Sequence, residues 1–270
     1  MPSVSSSVDV FHRASDLPMA VLQALENVAT SANIMLPTFY KCLDSEKAGQ
    51  SPPGHLWVVI YSRPGKVALV LSCTDGYMGA YPIFIINTNP IDNDDLATYI
   101  RLSALTLQRH VAIERVYSVF APIRITELFT KIWTQLTGVQ AETHPYYDAK
   151  ISCLRWHEGL EQPVIPSGSS MFEVGLATQA DILAVAKLCH AFAIDSVSGR
   201  LLPLPINQVL NICSQPPFTL TEEAAFVEAK KLVSSKQVWV HKVNGVVVSI
   251  AAFTRNTSKV ATITKVRVPA

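Results

Sequence analysis

Along the first half of the chain, apolar positions switch between helical and strand spacing. Met19, Leu22, Leu25 and Val28 recur at three-residue intervals, which predicts a helix through "DLPMAVLQALENVATSANIMLPTFY", with Pro18 in its first turn and Asp16 as a cap. "KCLDSEKAGQSPPGH" then reads as a loop. The β-branched runs "LWVVIYS" and "KVALVLSC", joined by "RPG", predict a hairpin, and "YPIFIIN" after the turn "TDGYMGA" predicts a third strand. "TNPIDNDDLATYIRLSALTLQRHV" reads as a helix. Asp92, Asn93 and Asp94 are candidate caps, and Leu96, Ile100, Leu107 and Val111 lie close to one stripe. "RVYSVFA" and "AKISCLRWH" read as strands. Between them "PIRITELFTKIWTQLTG" opens on Pro122 and closes on Gly138, the asymmetry expected of a helix.

The Ser-rich residues 1–16 read as disordered, and the Pro-, Gly- and Ser-rich residues 158–170 as a linker. Domains are therefore expected at 17–157 and 171–270. The second begins with strand "FEVGLAT". A helix follows, capped by Thr178, with Ile182, Val185, Ala186, Cys189 and Phe192 on one face. "SGRLLPLPINQVLNICSQPPF" holds at most a short helix. Thr221 caps "TEEAAFVEAKKLVSS", whose acids lead and lysines follow, as the helix dipole favours. Strands "QVWVHKV", "VVVSIAAFT" and "VATITKVRV" complete the chain. Asn244-Gly245 makes a two-residue hairpin of the first pair, and Val260–Val268 is expected beside the second. The fold class is mixed α/β, mainly antiparallel sheet flanked by helices.

Composition narrows the function classes. Net charge is +1, from 22 Lys and Arg against 21 Asp and Glu, which argues against broad electrostatic binding of nucleic acid. No apolar run approaches the roughly 20 residues of a membrane span, and the N-terminus has no signal-peptide pattern. The five cysteines, Cys42, Cys73, Cys153, Cys189 and Cys213, form no CxxC pair. They read as free thiols in a reducing compartment, so a cytoplasmic or nuclear location is expected.

The order strand, helix, helix and three antiparallel strands, ending in "VWVHKVNGVVVSIAAFTRNTSKVATITKVRV", resembles the GNAT superfamily of acyl-CoA-dependent N-acyltransferases, in particular fungal-type members with a degenerate N-terminal half. The resemblance covers about 100 residues on the C-terminal side. It implies acyl transfer from acetyl-CoA to a small-molecule or peptide amine. It also implies that the strand "ATITKV" pairs its backbone with the pantetheine arm, so Ile263, Thr264, Lys265 and Val266 are the cofactor-binding expectation. The family continues with a loop R/Q-x-x-G-x-G/A that opens a helix whose N–H groups hold the pyrophosphate. This sequence stops before that loop, so the second half reads as an incomplete copy and the 270-residue form as an inactive or crippled transferase. The first half reads as a degenerate copy, "ELFTKIWTQLTG" being similar to the family's closing helix. There Asp92, Asp94 and Asp95 stand at the phosphate-loop position, where carboxylates repel a pyrophosphate.

Other chemistry is sparse. His55, His110, His144, His157, His190 and His241 show no metal-ligand spacing; they read as structural or surface residues, or as a general base. Glu222, Glu223 and Glu228 read as a solvated helix face, or as the carboxylate that deprotonates the acceptor amine. Residues 245–270 contain no Asp or Glu. "TDGYMGAY" lacks the Gly-Lys of a phosphate loop, and no GxSxG is present. "SQPPFTLTEEAA" is either a plain connector or a border of the acceptor site. No catalytic residue and no metal ligand is assigned. Two further readings stay open: a non-catalytic scaffold derived from the same fold, and a peptide-binding module that uses the last strand as an edge.

Overall fold

The computed structural model describes residues 6–50, 54–76, 79–143, 145, 151–155, 171–198 and 220–268. The fold is mixed α/β, mainly antiparallel sheets flanked by helices. The chain divides into two compact units, Met1–Gly159 and Leu160–Ala270.

Unit 1 begins with strand β1 (Ser7–Phe11), then helices α1 (Met19–Asn27) and α2 (Leu36–Lys47). Strands β2 (Leu56–Arg63) and β3 (Lys66–Cys73) form the predicted hairpin, turning at Pro64-Gly65, where Gly65 takes φ +74°. A two-residue pair, β4 (Asp75–Gly76) and β5 (Gly79–Ala80), leads into β6 (Ile83–Asn87), helix α3 (Asn93–His110), β7 (Val119–Phe120) and helix α4 (Ile123–Thr137). The sheet runs β1-β2-β3-β6-β7, antiparallel except for the parallel pair β6–β7. Strand alternation sends Leu56, Val58 and Ile60 against Ile100, Leu107, Phe129 and Trp133 of α3 and α4. The intervening Trp57 and Val59 are equally buried, and Trp57 meets Phe39 of α2 edge-on at 5.8 Å between centroids. Strands buried on both faces read as near-continuous hydrophobic runs, as β2 and β3 do.

Unit 2 repeats this order on a smaller scale: β8 (Phe172–Leu176), α5 (Ile182–Ser198), α6 (Glu222–Ser234), β9 (Val238–Val243), β10 (Val246–Ala252) and β11 (Lys265–Arg267). Its sheet order β11-β10-β9-β8 matches β6-β3-β2-β1 of unit 1, with every pair antiparallel. Asn244 and Gly245 take φ +50° and +79°, the doubly left-handed turn that favours Asn-Gly. Thr178 and Asp181 cap α5 reciprocally through a short 3-10 turn. Val185 and Cys189 of α5 and Ala225, Ala229 and Leu232 of α6 pack against Val238, Val240 and Ile250. The opposite face of the sheet carries Phe172, Val174, Trp239 and Val266, all exposed.

Several expectations are corrected. Ser7–Phe11 is a strand, because Val8 and Val10 alternate with polar residues and pack on the unit 1 core beside β2. The first helix breaks at Val28, and α2 extends through residues read as a loop, burying Cys42 and Glu46. Asp16 caps nothing; Pro18 stands at the start of α1. "RVYSVFA" narrows to two strand residues, and 151–155 are not strand. Strand 260–268 narrows to Lys265–Arg267, because Asn256 and Thr257 side chains accept from Thr262 and Val260 N–H groups and hold the preceding segment as a loop. The expected linker 158–170 and residues 199–218 of "SGRLLPLPINQVLNICSQPPF" lie outside the described residues.

Candidate functional site

The four expected cofactor-binding residues divide at the start of β11. Ile263 and Thr264 belong to the loop; Ile263 is exposed, and Thr264 donates its N–H to Ala252 carbonyl at 2.7 Å. Lys265 and Val266 belong to β11, which pairs only with β10 among the described residues and so forms a sheet edge. Phe253 N–H points to β9, donating to Gln237 carbonyl, so Ala252 faces β11. Lys265, its register partner, therefore turns its main chain inward, and Val266 turns its N–H and C=O to the open edge. One peptide donor and one acceptor are thus presented at the position where the sequence predicts main-chain contacts.

Side chains of β11 tie it to the helices. Lys265 Nζ donates to both Glu228 carboxylate oxygens, at 2.6 and 2.5 Å, and lies 5.9 Å from the Phe192 ring centroid. Arg267 pairs with Asp195. The structure therefore joins two sequence candidates, Lys265 and Glu228, but as partners of each other. Glu228 has no oxygen left without a cation. Glu223 sits in the first turn of α6. Its carboxyl is held below the ordinary value by a hydrogen bond from its own backbone N–H, then by Thr221 and the nearby His190. It is an anion at a helix N-terminus rather than a poised base. Glu222 shares that exposed turn.

His190 is the better formed of the histidines on unit 2. Its Nδ1 lies 2.7 Å from Leu220 carbonyl, an atom that only accepts, so Nδ1 carries a proton, and in the neutral ring the lone pair is on Nε2. His241 lies on the open sheet face, stacked on Phe172 at 5.8 Å. His144 and His157 lie outside the described residues, as do residues 214–219 of "SQPPFTLTEEAA". Cys42, Cys73 and Cys189 are buried free thiols, and burial pushes Cys42 and Cys189 up to about 11, far from thiolate chemistry. Cys153 is exposed.

At the start of α3, Asp92 accepts from Asp95 N–H at 2.9 Å, and Asp94 and Asp95 occupy the first turn. The helix N-terminus that follows β6 is already satisfied by a carboxylate. Val266 thus presents an open backbone donor and acceptor, while no glycine lines the start of α3, where carboxylates stand instead. Among those residues no group of three or more His, Cys, Asp or Glu is placed to hold a metal ion. No described helix is long and apolar enough to cross a membrane.

A second concentration of polar side chains was not legible in the sequence. His12 at the end of β1, His55, Asp75, His110 at the end of α3 and Arg115 border one cleft of about 310 Å³ in unit 1. His12 lies in a segment read as disordered, and Asp75 and Arg115 carry no motif. The only sequence signal is the period-two run "SVDVF", which leads His12 into the sheet. No family model matches the chain, and no curated protein matches its sequence.

Proposed function

We propose that the chain carries an acyl-CoA N-acyltransferase fold of the GNAT type twice, with unit 2 the donor-binding copy and acetyl-CoA the donor. The observation behind this reading is the repeat itself: strand, two helices and an antiparallel meander, with the same strand order in both sheets. The donor would supply an activated thioester. Val266 would hold the pantetheine amides by its outward N–H and C=O, and the acceptor would be a small-molecule or peptide amine. Glu228 cannot take the amine's proton while Lys265 neutralises it. His190, whose Nε2 has no partner among the described residues, is the side chain best placed for that step. Reduced, buried thiols fit a cytoplasmic or nuclear setting.

A scaffold without turnover is the second reading, favoured by the Lys265–Glu228 pairing and by the carboxylates at the start of α3. One experiment separates the two. Thermal shift with acetyl-CoA and release of free CoA against an amine panel are measured for the full chain, for Val266→Pro and for His190→Gln. Val266→Pro removes an N–H that no neighbouring strand uses, so the fold should persist and the acetyl-CoA shift should vanish. CoA release that falls at least tenfold in His190→Gln supports the enzyme. A shift without release supports the scaffold, and no shift at millimolar acetyl-CoA overturns donor binding by this chain.

A further inference from the structure

We infer that the cleft bordered by His12, His55, His110 and Arg115 in unit 1 binds a small organic oxyanion, through donor hydrogens that the fold leaves uncommitted. This cleft shares no residue with β11.

His55 is the centre of it. Its side chain is buried, at 4% exposure, yet it lines the cleft. Nε2 accepts from Asp75 N–H at 3.1 Å, so the ring proton must reside on Nδ1. Among the described residues this Nδ1–H has no partner. Burial pulls the His55 pKa below its ordinary value, and Arg115 adds to this, while Asp75 and Glu46 oppose it. The ring therefore stays neutral and serves as a fixed donor.

Arg115 supplies the second set. Its Nη1 donates to Tyr81 carbonyl at 3.0 Å, and its Nη2 to Thr74 carbonyl at 2.8 Å and Asp75 carboxylate at 3.0 Å. Three of its five N–H hydrogens are thus used, which ties the guanidinium to Thr74, Asp75 and Tyr81. Nε–H and one Nη1–H have no partner among the described residues. The imidazoles of His12 and His110 face each other at 5.8 Å, and His12 Nδ1 lies 3.3 Å from His55 carbonyl, which orients its ring. The carboxylates nearby are both engaged: Asp75 by Arg115, and Glu46 by Ala14 and Ser15 N–H groups. Leu56, Val111 and Ala112 also line the cleft. Imidazole and guanidinium donors beside aliphatic residues suit a compact carboxylate or phosphate with a small hydrocarbon part. Arg and imidazole donors recognise either anion, so the class is defined by its acceptor oxygens.

The test follows imidazole ¹⁵N resonances of the full chain while inorganic phosphate or butyrate is added at constant ionic strength. Saturable movement of the His55 and His110 signals by either probe is expected. A response to phosphate alone assigns the phosphate class, and a response to butyrate alone the carboxylate class. His110→Ala, an exposed change, should weaken binding at least tenfold with an unchanged melting temperature. Arg101→Ala, an exposed change elsewhere on α3, should leave it unaltered. Movement of His110 without His55, or no saturation of either by about 50 mM of both probes, well past a roughly 1 mM dissociation constant, would overturn the inference.

Discussion

Glu46 shows how a single residue fixes a segment that the pattern alone left undefined. Its carboxylate is 3% exposed and accepts from Ala14 and Ser15 N–H groups at 2.7 and 2.9 Å, anchoring the turn after β1 to α2. Burial pushes the carboxyl up, but those bonds and Arg13 outweigh it and hold it below its ordinary value of 4.5. A depressed carboxyl stabilises the fold fully above that ordinary value and loses the contribution as pH falls below it. Glu46→Gln should therefore cost about 1–3 kcal/mol in urea unfolding at pH 7 and less at pH 3.5. His55, lowered from 6.5 by burial, works in the same direction at higher pH. Its neutral form is the folded one, so stability should decline as pH drops below that ordinary value, and the decline should be absent in His55→Asn. None of this was visible in sequence. A Glu within "LDSEKAG" reads as a loop charge, because burial comes from α2 packing and not from local pattern. Gly138 was legible: it closes α4 at φ +77°, where Gly138→Ala should lower stability by about 1 kcal/mol.

Among elements, β11 is the most dependent on side-chain pairing. It has three residues and, among the described residues, one strand neighbour and two cation–carboxylate links to the helices. Lys265 and Glu228 are 20% and 14% exposed, so screening is partial and the pair contributes more than a surface bridge. Either Lys265→Met or Glu228→Leu leaves a partly buried charge alone and should cost roughly 1–3 kcal/mol by thermal unfolding. The double variant should recover most of that loss; additive losses would mean that the two groups do not interact. The hairpin β9–β10 was readable because Asn-Gly dictates its own turn. The length of β11 was not, because Asn256 and Thr257 make local side-chain bonds that compete with the ladder, and strand propensity is blind to them. The same limit hid the break between α1 and α2, where apolar spacing continues through a short 3-10 turn.

At the scale of the molecule, the two units bury their sheets differently. In unit 1 side chains from both faces of β2 are buried, whereas unit 2 has helices on one face and exposed Phe172, Val174, Trp239 and Val266 on the other. Amide exchange should accordingly be slowest in β2 and β3 and at least tenfold faster in β10, an inner strand of unit 2. Equal protection would mean that the open face is covered in solution. The duplicated order was partly readable, since both meanders announce themselves by β-branched runs. The first strand of unit 1 was missed, and without it the match between the halves looked shorter than it is. The uneven burial also gives the molecule a built-in optical label. Trp57 and Trp133 are enclosed in unit 1, while Trp239 is 44% exposed in unit 2. With Trp156 changed to Phe, the indole emission should split into a blue component out of reach of a quencher and a red one that acrylamide removes. Loss of the blue component on heating then reports unit 1 alone, and any molecule that settles on the open face of unit 2 shields the red one, so each half can be watched in the intact chain without attaching a dye.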